Sequence, residues 1–127
     1  MKASLTNFKQ SPRKVRLVAN LIRGKRVQVA LNSLVFLPKK SSPEIIKLLN
    51  SAIANARQQG MNPDDLVVKT ISVDKGSVIR RTMPKARGRA AGIRRTMSHV
   101  NIELGMAADA KPKAEKKTSK KKSAKEK

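Results

Sequence analysis

The sequence predicts an α+β domain, three helices packed on a three-stranded antiparallel sheet, with a long extended β-hairpin and a disordered Lys-rich C-terminal tail. Three observations predict it. Apolar residues recur at helical spacing between Ser11 and Gly60, the period changes to two between Leu66 and Leu104, and sizeable apolar side chains almost vanish after Leu104.

Punctuation sets the helix boundaries. Ser11-Pro12 places an N-cap before a proline at the first helical position, and Val15, Val18 and Ile22, with Leu17 and Leu21 alongside, keep the period to Gly24. A second, shorter helix from about Val27 to Phe36 carries Val27, Ala30, Leu31 and Leu34 as one stripe before Pro38 stops it. The third opens at Ser41-Ser42-Pro43-Glu44, where Ser41 and Glu44 have capping-box spacing. It continues through Ile45, Ile46, Leu48, Leu49, Ala52, Ile53 and Ala56 to Gly60. As the longest and most apolar helix it is expected at the centre.

Beyond Asn62-Pro63, Leu66 to Val73 is rich in Val and Ile and reads as a strand. Asp74-Lys75-Gly76 follows with the composition of a turn, and Ser77-Val78-Ile79 resumes an extended run, so a hairpin is expected to start there. In a third strand Met97, His99, Asn101 and Glu103 alternate with Ser98, Val100, Ile102 and Leu104, whose face is expected to be packed. Residues 1–104 are thus expected to form one domain, with the hairpin over about 74–100. Residues 105–127, holding nine Lys and three acidic residues, cannot bury a core and are expected to be disordered.

Charge and composition narrow the function. Thirty Lys or Arg against eight Asp or Glu leave a formal charge of +22 on 127 residues, far above the roughly 2 to 8 of a small soluble domain. Such an excess calls for a polyanionic partner, nucleic acid before membrane lipid. Six of those charges belong to the tail and sixteen to residues 1–104. The absence of Cys removes disulfides, thiolate catalysis and Cys-based zinc sites. One histidine, His99, cannot build a multi-histidine metal site, and the scattered carboxylates oppose an acid–base dyad. Ser98 beside His99 lacks the carboxylate and the Gly-rich elbow of a nucleophile site. No enzyme, no cofactor and no metal are expected. Two Phe without Trp or Tyr argue against an aromatic platform for single-stranded bases, and no apolar run reaches the eighteen or so residues of a membrane span.

The informative stretch is Arg80 to Arg95, RRTMPKARGRAAGIRR. It contains Arg80, Arg81, Lys85, Arg87, Arg89, Arg94 and Arg95, no acid, and only Met83 and Ile93 as sizeable apolar groups. If the flanking strands continue to a tip near Arg87-Gly88, about ten residues beyond Gly76 project roughly 33 Å. A two-stranded ribbon is marginal alone and seven cations repel one another, so its order is expected to come from RNA or DNA phosphates. Guanidinium groups hold a phosphate with two hydrogen bonds and stack on bases, whereas the tail's lysines act as mobile point charges. Gly88 and Gly92, with Ala86, Ala90 and Ala91, permit close backbone approach to a crowded surface. The bland alternative is a disordered basic loop. A second basic patch, Arg13, Lys14, Arg16, Arg23, Lys25 and Arg26, lies on the first helix and its exit, where an ordinary solvent face is the alternative.

Four blocks carry a family resemblance: Ser11-Pro12-Arg13-Lys14-Val15-Arg16-Leu17-Val18-Ala19-Asn20-Leu21-Ile22-Arg23-Gly24-Lys25, Leu49-Asn50-Ser51-Ala52-Ile53-Ala54-Asn55-Ala56, Met83-Pro84-Lys85-Ala86-Arg87-Gly88-Arg89-Ala90 and Ser98-His99-Val100. In order and spacing the chain resembles the bacterial large-subunit ribosomal protein twenty-two family over about residues 4 to 104. The resemblance implies a structural protein of the large ribosomal subunit, bacterial or organellar and cytoplasmic in a bacterium. It implies binding to large-subunit (23S-type) ribosomal RNA during assembly, contact with neighbouring large-subunit proteins, and a monomer that touches no membrane. Met83 to Ala90 would form a hairpin tip on the wall of the peptide exit tunnel, facing the nascent polypeptide and contributing to nascent-chain sensing and macrolide sensitivity. Arg87 and Arg89 would face RNA or the tunnel lumen, and Arg13, Lys14, Arg16, Arg23 and Lys25 would contact RNA from the globular part. The family's Lys-Arg-Thr before Ser-His stands here as Arg95-Thr96-Met97, which loses a cation at Thr96 and leaves Arg94 to compensate. His99 either hydrogen-bonds RNA at the hairpin base or is a neutral strand histidine. A nucleoid or linker-histone-like DNA binder, favoured by the Ala-Lys-Pro tail and the net charge, is the alternative.

Overall fold

Three helices form where proline or glycine punctuation meets an amphipathic period. In the computed structural model, which describes residues 1–106, they are α1 (Pro12–Ile22), α2 (Val27–Val35) and α3 (Ser42–Gln58), set between strands β1 (Lys2–Phe8), β2 (Leu66–Pro84) and β3 (Ala90–Met106). Residues 107–127, most of the segment expected to be a disordered tail, lie outside the described residues. Gly105 and Met106, also assigned to that tail, instead continue β3 and pair with Val67 and Leu66.

Each helix buries one stripe. In α1 the stripe is Val15, Val18, Ala19 and Ile22; Leu17 and Leu21, grouped with it on sequence grounds, point to solvent. The 3.6-residue period favours small Ala19 over either leucine. α2 buries Val27, Ala30 and Leu34, and α3 buries Ile45, Leu48, Leu49, Ala52, Ile53 and Ala56. The capping box expected at Ser41 and Glu44 does not form. Ser41 is buried with helical dihedrals and makes no capping bond, the Ser42 hydroxyl donates to the Leu37 carbonyl at 3.0 Å, and Glu44 accepts from Lys47 at 3.2 Å. A side-chain cap needs an extended N-cap residue. Ile22, Leu34, Ile45, Leu49, Leu66, Ile71 and Ile102 are fully buried, each contributing about 1.5–3 kcal/mol of transfer free energy.

The sheet is antiparallel with order β1-β3-β2. Val100, Ile102 and Leu104 on central β3, with Val68, Ile71 and Val73 on β2, join the helices in one core, and Ala3, Leu5 and Phe8 of β1 pack on it. The opposite face is polar and carries a Lys2–Glu103 ion pair at 2.9 Å. The Lys2 ammonium, by hydrogen bond and charge, holds the Glu103 carboxyl below its ordinary range.

Two features of the sheet differ from the sequence expectation. The sequence pattern predicts no strand before Ser11, yet β1 forms there, with Ala3 and Leu5 alternating inward with exposed Lys2 and Ser4. β2 runs through Asp74-Lys75-Gly76 without turning. Lys75 pairs with Ser98 and Val78 with Thr96, so β2 spends three residues where β3 spends two. The turn-like composition serves a β-bulge. β1 bulges beside the same point, Leu5 pairing with Val100 and Phe8 with Ser98, with Asn7 in the left-handed region at φ 55°.

Candidate nucleic-acid interface

The basic residues divide by what their head groups touch. Among the described residues only Lys2 and Lys47 form ion pairs, both with exposed heads, so nearly all the positive charge is uncompensated. Two arginines of the first basic patch are nevertheless engaged by the protein itself. Arg16 donates through Nε and Nη2 to the Val73 carbonyl at 3.1 and 2.8 Å, and Arg23 donates through Nη2 to the Ile71 carbonyl at 2.9 Å. Arg16 on α1 and Arg23 just past its C-terminus, seven residues apart, cap the outer edge of β2. Backbone bonds continue the cover, Gly24 N–H to the Val68 carbonyl and Val68 N–H to the Lys25 carbonyl at 2.9 and 3.0 Å. This closes a sheet edge that would otherwise invite pairing with another chain. An arginine has five N–H groups, so each keeps donors for a phosphate. Arg13 and Lys14, in the first turn of α1, are exposed. They add to the positive end of the helix dipole instead of neutralising it.

The hairpin is the second element of the interface. Past the bulge, β2 and β3 pair alone from Val78–Thr96 to Pro84–Ala90, a ribbon of about 20 Å at strand rise. Its register places Arg80 directly opposite Arg94. Alternation puts Arg81 and Arg95 on the other face, one diagonal step apart, because Arg81 pairs with Ile93 and Ile79 with Arg95. Four guanidinium groups therefore form a girdle around the ribbon, all exposed. Opposed like charges destabilise a ribbon by roughly 0.2–1 kcal/mol, and no acid between Gly76 and Met97 offsets that.

The tip, Lys85 to Arg89, closes with the Lys85 N–H donating to the Arg89 carbonyl at 2.7 Å. Arg87 and Gly88 both occupy the left-handed region, at φ 58° and 68°. Glycine does so freely, whereas arginine accepts about 1–2 kcal/mol of strain. Met83, Lys85, Arg87 and Arg89 are all exposed there.

His99 sits where ribbon meets domain. Its Nδ1 accepts the Asn7 N–H at 3.2 Å, which leaves the proton of the neutral ring on Nε2. The Ser77 hydroxyl donates to Asn7 Oδ1 at 3.1 Å. A Cβ on Gly76 would lie 3.0 Å from His99 Nε2, so any larger residue there would have to push the ring aside by a few tenths of an ångström. His99 thus ties both bulges together, a role the sequence did not reveal. Among the described residues no three His, Asp or Glu side chains converge as a metal set would require.

Similarity to known proteins follows the same boundaries. The sequence profile of the family described as Ribosomal protein L22p/L17e matches residues 3–105. The chain is similar to the Large ribosomal subunit protein uL22 of Pelobacter propionicus, 53% identical over 103 residues that cover 80% of this chain and 93% of that protein. It is 54% identical to its counterpart in Herpetosiphon aurantiacus over 102 residues, 80% of this chain and 90% of that one. The counterpart in Geobacter sulfurreducens is 50% identical over 103 residues, 80% and 93% of the two chains.

Proposed function

The chain belongs to the ribosomal protein L22p/L17e family, and on that premise we propose that it clamps large-subunit ribosomal RNA and sends its hairpin tip to the wall of the peptide exit tunnel. It is a structural component of the large ribosomal subunit and not an enzyme. The arginine girdle carries the RNA reading, since four exposed guanidinium groups on an acid-free ribbon form no ion pair among the described residues. Arg80, Arg81, Arg94 and Arg95 grip phosphates along the ribbon, with Lys85, Arg87 and Arg89 at the tip. Arg13, Lys14 and Lys25 hold RNA at the globular end, joined by the spare donors of Arg16 and Arg23. His99 positions the ribbon's root, and Met83 to Ala90 meet the nascent polypeptide. Residues 1–104 act as one RNA-binding unit, in a single copy that contacts neighbouring large-subunit proteins, and the lysine-rich tail adds general attraction.

The experiment is binding to a large-subunit RNA transcript across a salt series, with duplex DNA as competitor. About ten phosphate contacts give a logarithmic salt slope near −7 to −9. Protein lacking residues 107–127 keeps most of that slope and still enters large subunits. A shallow slope, equal competition by duplex DNA, or loss of incorporation without the tail would overturn the reading. A photocrosslinker at Met83 in translating ribosomes is expected to capture nascent chains.

A further inference from the structure

Phe36 caps the C-terminus of α2 and is 85% exposed, more than any other large apolar side chain among the described residues. The chain has two phenylalanines, and the other, Phe8, packs on the core. The exposure is built in. Leu34 is buried and Leu37 packs on the core, so α2 cannot roll to hide the ring without uncovering Leu34. The turn after it is braced: the Leu37 N–H donates to the Leu34 carbonyl at 3.2 Å, the Lys39 N–H to the Leu37 carbonyl at 2.8 Å, and the Ser42 hydroxyl to that same carbonyl at 3.0 Å. Pro38 further restricts the backbone.

The charged residues that follow the ring in the chain, Lys39 and Lys40, are of one sign. Lys39 and Lys40 are exposed and form no ion pair among the described residues. Residues 1–43 contain no acid, and Glu44, the first, is already held by Lys47. Lysine is depleted from protein–protein interfaces, whereas an aromatic face beside cations is how unpaired bases are held, by stacking on the ring and neutralising the backbone.

We propose that Phe36 is a stacking site for one unpaired base of the large-subunit RNA, with Lys39 and Lys40 on the adjoining phosphates. The site rests on the RNA-binding reading above and adds to it a base contact distant in sequence from the hairpin. A single ring suffices for one base, which is compatible with the absence of an aromatic platform.

The chain has no Trp or Tyr, so Phe36→Trp installs a single fluorophore at an exposed position where the fold is not at stake. Bound to a large-subunit RNA transcript, this variant is expected to lose at least half of its emission and to become shielded from acrylamide. Phe36→Ala and Phe36→Leu are both expected to weaken binding about 5- to 150-fold, the range of one lost base–aromatic stack. Wild-type affinity is measured in parallel by filter retention. If wild type and Phe36→Trp bind equally but the emission is unchanged, the stacking site is overturned and the RNA reading stands. Full binding by Phe36→Leu, or shielding that appears only in whole subunits, assigns the ring to an apolar protein contact and also overturns it. Failure of wild type to bind RNA overturns both readings.

Discussion

Replacing Arg80 and Arg94 by Gln is expected to stabilise the free hairpin while weakening its hold on RNA. The two residues are directly opposed across the ribbon. Guanidinium groups about 6 Å apart in water repel by about 0.7 kcal/mol, within the roughly 0.2–1 kcal/mol range of cross-strand pair energies. Gln keeps much of the stem and removes the charge. Local opening of the ribbon then becomes about threefold rarer. Amide hydrogen exchange at Met83 and Ala91, which face each other across the ribbon, should slow by that factor in the free double variant at low salt. In about 1 M salt, where the screening length falls to about 3 Å, the difference should disappear. On large-subunit RNA the double variant loses two phosphate contacts, so its salt slope becomes shallower by about 1.4 to 1.8. Faster exchange in the variant would refute the reasoning, because the arginine pair would then be holding the free ribbon together. An unchanged salt slope would refute the phosphate assignment.

Two further predictions separate structural from RNA-facing groups. Arg16→Ala should cost about 1–3 kcal/mol in urea unfolding, because it removes both hydrogen bonds to the Val73 carbonyl. Arg13→Ala should leave stability within about 0.5 kcal/mol and instead lower the RNA salt slope by about one. Gly76→Ala forces the imbalance at the hairpin root, since its Cβ lands 3.0 Å from the His99 ring. It should cost about 1–2 kcal/mol, and the cost should shrink in a His99→Ala background. Equal costs in both backgrounds would show that the two residues are not coupled.

The helices were legible because Pro12, Gly24, Pro38 and Pro43 bracket runs whose buried stripes recur at helical spacing. The packed face of β3 was legible for the same reason at period two, Ser98, Val100, Ile102 and Leu104 all being buried. β1 was missed because its inward residues include a single alanine and a leucine before a bulge breaks the alternation at Asn7. Asp74-Lys75-Gly76 was misread because a bulge and a turn draw on the same residues, and only the partner strand shows which of them is meant. The arginine-rich stretch announced an anion partner from composition alone. That Arg16 and Arg23 also serve a sheet edge depends on carbonyls about fifty residues away in the chain, which no local pattern encodes. The sequence marks Phe36 only as the end of the second helix, and it is the burial of Leu34 and the packing of Leu37 on the core that show the ring turned outward.

The uninterrupted run of β2 from core to tip limits how the hairpin can change length. Because the ribbon shares its ladder with the buried sheet, a single residue gained in one arm would swap the faces of every side chain beyond it and break apart the Arg80–Arg94 opposition. Viable changes in reach must therefore come as matched additions to both arms, or at the bulge near Gly76 or the tip loop, where an unpaired residue is already accommodated. Across related chains, arm lengths should vary together and odd-numbered differences should collect at those two places.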